Sequence, residues 1–336
     1  MNAVIFAYSR KGCETARRVS GLLPAGASTC CCTARLREDG FYPISKPLYG
    51  EYFSRADALI FVGACGIAVR EIAPYVSDKR KDPAVLCIDE LGQYVIPLLS
   101  GHIGGANRLA RELARGLGAT AVITTATDIN HRFSVDAWAS ENGYAISSME
   151  AAKRISAAIL EGDIPLASDF PVSLPLPSGI IAGDSGPLGI SITYRKTEPF
   201  GKTLRLVPRV LNLGIGCRKG IPAGAIYRAV DSVFQEQGID PKAVAGVYSI
   251  DLKEHEPGLM EFCKDAGLPF TVYSAEQLRG VEGNFTASEF VSSVTGVDNV
   301  CERAALVEAE RLIIHKTAIG GVTVAVALRH WEVQFG

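Results

Sequence analysis

The 336-residue sequence contains no apolar run that approaches the ~20 residues a membrane-spanning helix needs. It also has little excess charge of either sign, because 34 lysines and arginines are set against 36 aspartates and glutamates. That balance argues against nucleic acid or an acidic membrane surface as the main partner. The apolar stretch at residues 3–7 is too short for a signal peptide, so we expect a cytoplasmic protein.

The sequence also lacks cysteines and histidines at the spacing that metal sites require. The nine cysteines are scattered and odd in number. The run Cys30, Cys31 and Cys32 has neither CxxC spacing nor nearby histidines, which favours free thiols over a zinc site. The sequence therefore predicts no metal site.

What the sequence does contain is a regular alternation of short apolar runs and helical patterns. Apolar runs at residues 4–8, 59–62 and 84–89 are separated by such patterns, and in the pattern at 104–117 leucines recur every four residues. This alternation predicts an α/β fold with an open, mostly parallel sheet flanked by helices.

Changes in composition predict three regions. Residues 1–145 are expected to form an N-terminal α/β domain. Residues 146–208 are rich in proline and include a strand-like run at 190–194, which favours a small β-rich region over a linker. The alternation resumes afterwards and predicts a second α/β domain at 209–336.

Glycine-rich or polar turns follow four predicted strands of the N-terminal domain. Because ligands bind outside the carboxyl ends of parallel strands, we expect all four turns at one edge of the sheet. Helix N-termini, glycines and basic side chains at such turns suit an anionic ligand, although the same glycines and threonines also serve simply to form turns and caps. The predicted binding residues are Arg10, Lys11, Gly66, Arg70, Gly101, Gly104, Gly105, Asn107, Thr124 and Thr125.

Three titratable residues near these turns are candidates for catalysis: His102, Asp128 and Glu71. His102 precedes a predicted helix, whose dipole should favour the neutral imidazole. A neutral imidazole is competent as a general base near pH 7. Capping or packing is the alternative role for His102, and Glu71 would then lie on an exposed helix face.

The C-terminal domain repeats this arrangement. The sequence GIGCRKG at residues 214–220 follows one strand and is expected to open a helix, and a charged turn at 249–256 follows the next strand. The spacing GxGxxxG differs from the dinucleotide fingerprint GxGxxG, so NAD or FAD binding is weakly supported. Cys217 is a candidate nucleophile if its basic neighbours lower its pKa, and a structural thiol otherwise. The predicted binding residues here are Gly216, Cys217, Arg218, Lys219, Asp251 and Lys253.

Two blocks of the sequence resemble one known family. Residues 63–128, which contain GACGIAVRE and SGHIGGANRLARELA, closely resemble the N-terminal domain of the cobalt-precorrin 5A hydrolase family. The segments LGIGCRKG at 213–220, SIDLKEHEPGL at 249–259 and SEFVSSVTGVDNVCERAAL at 288–306 resemble that family's C-terminal domain. The blocks occur in the family's order.

The resemblance implies an enzyme of anaerobic cobalamin synthesis. Its substrate would be a cobalt-containing tetrapyrrole with many carboxylates and a δ-lactone, which the family opens with release of acetaldehyde to give cobalt-precorrin 5B. The cobalt belongs to the substrate, so no cofactor is expected. The chemistry needs a base, for which His102 or Asp128 is expected, and an oxyanion donor, for which the amides of residues 101–105 with Thr124 and Thr125 are expected. Glu71, Asp251 and Glu256 are held in reserve for acid–base roles.

Two other classes of function stay open at this point. One is a non-catalytic corrinoid carrier, because the C-terminal domain alone resembles a protein of the aerobic pathway. The other is a nucleotide-dependent oxidoreductase that uses the GIGCRKG turn. The expected partner is the tetrapyrrole substrate, with transient contacts to neighbouring pathway enzymes, no nucleic acid and no membrane; a homodimer is left open.

Overall fold

The computed structural model describes residues 1–78, 81–102, 104–288, 292–293 and 295–335. The chain divides into two compact units, Met1–Glu141 and Asn142–Gly336. Across the described residues, no helix combines the length and the apolar character that crossing a membrane requires.

The first unit is built on a seven-stranded sheet in the order β3-β2-β1-β4-β5-β6-β7. Its strands are β1 (Ala3–Ala7), β2 (Ser28–Cys32), β3 (Tyr42–Pro43), β4 (Ala58–Val62), β5 (Ala84–Ile88), β6 (Tyr94–Leu99) and β7 (Thr120–Ala121). Its helices are α1 (Arg10–Leu22), α2 (Lys46–Arg55), α3 (Cys65–Ile72), α4 (Ala106–Leu117), α5 (Ala126–Ile129) and α6 (Val135–Glu141).

The central strands are apolar throughout because helices cover both faces of the sheet. Every residue of β1, β4 and β5 is buried. Alternate side chains separate into two cores: Ile5 and Ile60 pack with residues of α1 and α4, whereas Phe6 and Phe61 pack with Tyr49 of α2 and its neighbours. The predicted α/β architecture is confirmed for this unit.

Strand directions correct one expectation. Strands β1 to β5 are parallel, but β6 runs antiparallel to β5, with Val85 opposite Leu99 and Ile88 opposite Val95. Strand β7 is parallel to β6 and is therefore reversed as well. The turns that follow β6 and β7 thus lie at the edge opposite the turns that follow β1 and β4, and the prediction of one shared edge is wrong.

The second unit contains the middle region, which forms its own five-stranded sheet in the order β10-β9-β11-β12-β8. Its elements are β8 (Ala145–Ile146), α7 (Met149–Ala158), β9 (Ile164–Ser168), β10 (Ile180–Ala182), β11 (Gly189–Ile192) and β12 (Thr203–Val207). The strands are parallel except β8, which pairs antiparallel with β12. The structure groups this sheet with the C-terminal part of the chain and divides the chain after Glu141.

The remaining sheet of the second unit has the order β15-β14-β13-β17-β16. Its strands are β13 (Leu211–Cys217), β14 (Val244–Ile250), β15 (Phe270–Tyr273), β16 (Arg311–Ile319) and β17 (Val322–Leu328). Its helices are α8 (Ala223–Glu236), α9 (Pro257–Ala266), α10 (Ala275–Arg279) and α11 (Cys301–Leu306), with single 3₁₀ turns at Pro241–Ala243 and Asp251–Lys253. Strands β13, β14 and β15 are parallel, and β17 pairs antiparallel with β13.

The GIGC part of the GIGCRKG segment is strand, not turn. Pairing with β17 continues from Leu211 through Cys217, so both Gly214 and Gly216 lie inside β13. Helix α8 begins only at Ala223. The prediction that these glycines open a helix is therefore wrong, because the antiparallel partner extends the strand beyond its apolar run.

Candidate active site

The reversal of β6 separates the predicted catalytic residues. His102 follows β6 and Asp128 follows β7, and the structure brings them together, with 3.2 Å between His102 Nε2 and Asp128 Oδ2. Glu71 is not part of this cluster. It lies near Tyr8 and Tyr49, close to the carboxyl end of β1, where its negative charge adds to burial in raising the pKa of both phenols.

The turn that presents His102 is shaped by close packing. Ser100 is buried in the left-handed region at φ 58°, and its hydroxyl donates to the carbonyl of Asp82 at 2.9 Å. A Cβ on Gly104 would lie 2.4 Å from Cβ of Ser100, and one on Gly101 would lie 2.8 Å from Asn107 Oδ1. Gly104 is therefore needed to form the turn, and a side chain at position 101 would displace the side-chain amide of Asn107.

Only some of the groups predicted to donate hydrogen bonds to an oxyanion are free to do so. The amide of Gly105 donates to the carbonyl of His102 at 2.9 Å, so it is already used inside the turn. Thr125 donates its hydroxyl to Asp128 Oδ2. Ile103, which also falls in the predicted set, lies outside the described residues. Gly101, Gly104 and the exposed Thr124 remain candidates for ligand contact.

Asp128 is surrounded by donors. Asn107 Nδ2 lies 2.9 Å from Asp128 Oδ2, Arg111 forms an ion pair with Oδ1, and Thr125 donates to Oδ2. Partial burial acts to raise the pKa of Asp128, but the hydrogen bonds from Arg111 and Thr125 outweigh burial and the pKa is lowered. A carboxylate with a lowered pKa is a weak base, so this environment does not favour proton abstraction by Asp128.

His102 lies between two carboxylates. Its Nε2 lies 3.2 Å from both Asp128 Oδ2 and Thr127 Oγ1, and its Nδ1 lies 3.5 Å from Asp136 Oδ1. The hydrogen bond with Asp136 raises the pKa of His102 most, against the lowering effect of burial, and Asp128 adds to the rise. The expectation that the helix dipole favours the neutral ring is therefore wrong, because two adjacent anions outweigh the dipole.

Two residues of this cluster were not foreseen: Arg111 and Asp136. Arg111 had a signal in the sequence, since it lies one helical turn after Asn107 on α4 and so shares its face. Asp136 had none, because its approach to His102 depends on how the short helices α5 and α6 fold back toward the turn after β6. Thr127 belongs to the predicted polar turn that contains Asp128.

The basic residues expected in the same site lie at the other edge. Arg10 and Lys11 begin α1 directly after β1, where Ser9 caps the helix by accepting from the amide of Gly12 at 3.0 Å. Gly66 and Arg70 belong to α3, which follows β4. Arg10, Lys11, Gly66 and Arg70 are exposed, and they form a second polar surface apart from His102.

At the second unit's sheet, the turns after β13 and β14 do meet, as expected for parallel neighbours. Glu256, which is buried, joins them: its Oε1 accepts from the amide of Gly220 at 2.6 Å and its Oε2 pairs with Lys253 Nζ at 2.9 Å. Burial acts to raise the pKa of Glu256, but Lys253 and the Gly220 amide outweigh burial and the pKa is lowered. Glu256 is thus a fixed anion that holds two turns together.

The other residues predicted to bind a ligand at this edge differ in exposure and in the partners they already have. Arg218 and Lys219 are exposed, whereas the charge of Lys253 is neutralised by Glu256. Asp251 is exposed and accepts from the amide of Leu252 at 2.7 Å. Burial raises the pKa of Cys217, which outweighs the lowering by Lys253. The interpretation of Cys217 as an activated nucleophile is therefore wrong.

The cysteine run belongs to the core of the first unit. Cys30, Cys31 and Cys32 lie in β2, and the side chains of Cys31 and Cys32 enter the two opposite cores of the sheet. Burial raises the pKa of Cys31 to about 12. All nine cysteines are free thiols. In the part of the chain that the structure describes, no group of three or more His, Cys, Asp or Glu residues is arranged to hold a metal ion.

Comparison with known proteins links both units to one pathway. The family described as "Cobalamin synthesis G N-terminal" matches residues 48–128, and "Cobalamin synthesis G C-terminus" matches residues 211–327. The chain is 34% identical to the cobalt-precorrin-5A hydrolase of Salmonella typhimurium, with 97% of each chain covered. It is 33% identical to the enzyme of the same name from Priestia megaterium, over 84% of this chain and 81% of the relative.

A shorter relative matches only part of the sequence. Protein CobE from a Sinorhizobium species is 31% identical over 35% of this chain and 79% of its own length. The two hydrolases, in contrast, align with most of the chain. The chain therefore belongs to the cobalt-precorrin-5A hydrolase family of cobalamin-synthesis enzymes.

Proposed function

We propose that this protein hydrolyses cobalt-precorrin 5A, opening its δ-lactone and releasing acetaldehyde to give cobalt-precorrin 5B. The observation that carries the proposal is the 34% identity to a cobalt-precorrin-5A hydrolase over 97% of both chains. The cluster around His102 supports it, since the residues that meet there lie within or just beyond the N-terminal family match at 48–128.

The reaction consumes one water and needs a residue that both accepts and returns a proton. The water oxygen bonds to the acyl carbon, the ester C–O bond breaks, and the leaving oxygen takes a proton. That alcohol then loses its proton and becomes the carbonyl of acetaldehyde as its C–C bond to the macrocycle breaks. The electron pair stays on the macrocycle, which takes up the proton.

His102 is the residue we assign to these proton transfers. Asp128 is the weaker candidate, because Arg111 and Thr125 lower its pKa. A histidine with a raised pKa accepts a proton readily and still returns it near neutral pH. Asp128 then stabilises the imidazolium that forms, as a carboxylate does beside a catalytic histidine.

Carboxylate recognition is assigned to the exposed cations of the second unit. Arg218 and Lys219 follow β13 at the turn that Glu256 fixes. Their charge-assisted hydrogen bonds suit the acetate and propionate groups of a tetrapyrrole. A nucleotide is a poor alternative at this turn, because Gly214 and Gly216 lie within the strand and are not available to a pyrophosphate.

The test is anaerobic incubation of the purified protein with cobalt-precorrin 5A. The protein is then removed, and acetaldehyde is measured in the filtrate with alcohol dehydrogenase and NADH. One acetaldehyde per substrate consumed is expected, without added nucleotide and with no loss on treatment with a chelator. Binding of the substrate without acetaldehyde would identify a non-catalytic carrier instead. A requirement for a nicotinamide or flavin nucleotide would identify an oxidoreductase. Recovery of activity in the cytoplasmic fraction would support the expected location.

A further inference from the structure

The His102 ring contacts carboxylates on two separate helices. Its Nδ1 faces Asp136 of α6 at 3.5 Å, and its Nε2 faces Asp128 of α5 at 3.2 Å. Arg111 of α4 is a further charged group of the cluster, and it forms an ion pair with Asp128. The two carboxylates therefore hold opposite nitrogens of one ring, and their roles differ with their surroundings.

Asp136 is the more deeply buried of the two. Its side chain is 6% exposed, compared with 15% for Asp128 and 22% for His102. The hydroxyl of Ser134 and the amide of Ala137 both donate to Asp136 Oδ1, at 3.2 Å and 3.0 Å. The carboxylate is thus held in place by its own helix start, on the inner side of the ring.

Asp128 lies on the more open side and has other partners. Arg111, whose side chain is 48% exposed, together with Asn107 and Thr125, continues to satisfy its oxygens if the contact with His102 is released. Separation of Nε2 from Asp128 therefore leaves no buried carboxylate without a donor. Nε2 also lies 3.2 Å from the hydroxyl of the buried Thr127, which can donate to an unprotonated Nε2. A substrate atom would therefore approach Nε2 from the side of Asp128.

We propose that Asp136 is a positioning residue that accepts the Nδ1 proton of His102 and so leaves Nε2 as the nitrogen that exchanges a proton with the substrate. The proposal rests on the proposed function for its catalytic meaning, but the ring geometry it assigns belongs to the free protein. A carboxylate on one imidazole nitrogen fixes the tautomer and the orientation of the ring. The raised pKa of His102, to which Asp136 contributes most, agrees with this arrangement.

The first experiment needs no substrate. Two-dimensional ¹H–¹⁵N spectra of the full-length protein, recorded above the pKa of His102, identify which ring nitrogen carries the proton. The His102→Gln variant assigns the signal. We expect the neutral ring to carry its proton on Nδ1. A neutral ring protonated on Nε2 would overturn the proposal, whatever the enzyme's activity.

The second experiment measures turnover of cobalt-precorrin 5A against pH for Asp136→Asn. We expect kcat to fall by about 10²-fold or more with a smaller change in KM, since the ring loses its tautomer and orientation. The pKa of His102, followed by the same spectra, should fall. Asp39→Asn, a change at an exposed aspartate of the same unit, is the control and should alter neither quantity.

The outcomes separate the two proposals. A loss of kcat with no change in the His102 pKa would show a merely structural role for Asp136 and overturn the inference. If the wild-type protein releases no acetaldehyde, the proposed function fails, and the tautomer measurement still decides the role of Asp136. If Asp136→Asn does not fold, the wild-type spectra decide alone.

Discussion

Gly214 of β13 and Cys301 of α11 approach so closely that a Cβ on Gly214 would lie 1.9 Å from the carbonyl oxygen of Cys301. The same Cβ would lie 2.9 Å from Cβ of Ala305, one turn further along α11. Gly214 is itself buried in the strand. This glycine therefore allows helix and sheet to pack together, and the apparent ligand-binding motif begins with a packing residue.

Gly214→Ala should therefore destabilise the second unit by about 3 kcal/mol or more, because neither the helix backbone nor the strand can move away cheaply. Urea unfolding followed by the fluorescence of Trp331 measures the effect, in a Trp138→Phe background that leaves one tryptophan. Gly162→Ala is the matched control, since its Cβ meets nothing within 4 Å. An unchanged midpoint for Gly214→Ala would contradict the packing role.

The fold class could be predicted from the sequence. The direction of β6 was not predicted, although the length of the loop before it indicates that direction. Only residues 89–93 separate β5 from β6, and parallel strands need a crossover of about a dozen residues or more. Asp89 completes this hairpin by accepting from the amides of Gln93 and Tyr94. Loop length, read together with the apolar pattern, would have placed His102 at the correct edge.

The site was predictable only in part. His102 and Asp128 were found because each follows a strand, and the two strands turned out to be parallel neighbours. Asp136 was not found, because it lies in α6, which does not directly follow a strand. Its contact with His102 depends on how α5 and α6 fold back toward the turn after β6. Local patterns report strands and helices well, but not how several short elements fold back on one turn.

Replacement of His102 should separate chemistry from binding. His102→Ala is expected to lower kcat by about 10²- to 10⁴-fold while substrate affinity changes little, because binding is spread over many carboxylate contacts. Asp128→Asn should lower kcat less. The wild-type kcat should rise with pH through a pKa above the usual 6.5, since a base acts unprotonated. Near-normal turnover by His102→Ala would transfer the role of base to Asp128.

Replacement of Arg218 should affect substrate binding more than turnover. Arg218→Ala is expected to weaken substrate binding about 10-fold or more, because hydrogen bonds between charged groups are worth about 1.5–3 kcal/mol, and to change kcat less. Titration of the corrinoid absorbance measures the dissociation constant. Arg279→Ala, at an exposed arginine of α10, controls for net charge. Equal weakening by both variants would remove Arg218 from specific recognition.

Glu302 of α11 is fully buried, and its two oxygens accept hydrogen bonds from several elements. The amides of Thr286 and Lys316 donate at 2.7 Å and 2.6 Å, Asn299 Nδ2 donates at 2.6 Å, and His315 Nδ1 lies 3.2 Å away. Burial acts to raise the pKa of Glu302, but these donors outweigh burial and lower the pKa. Part of the family-like segment that leads into α11, residues 289–291 and 294, lies outside the described residues.

Glu302→Gln should therefore destabilise the second unit by about 3 kcal/mol at pH 7, since the amide cannot accept all of these bonds and turns its own donors toward buried donors. Because the folded pKa is lowered, the contribution of Glu302 is present above the usual value of 4.5 and is lost as the pH falls through the folded pKa. Wild-type stability should fall in that acid range, and the variant should lack this part of the fall.

Glu310→Gln is the matched control, because Glu310 also faces a histidine, His330 at 3.3 Å, but its side chain is 57% exposed. An exposed pair of this kind contributes little, so a change within about 0.5 kcal/mol is expected. Both variants are compared by urea unfolding of the Trp138→Phe protein, monitored at Trp331 from pH 7 down to about pH 2. If the two substitutions cost the same, burial and the surrounding donors of Glu302 do not stabilise the unit. If Glu302→Gln is costly but keeps the full acid dependence, another carboxylate is responsible for it.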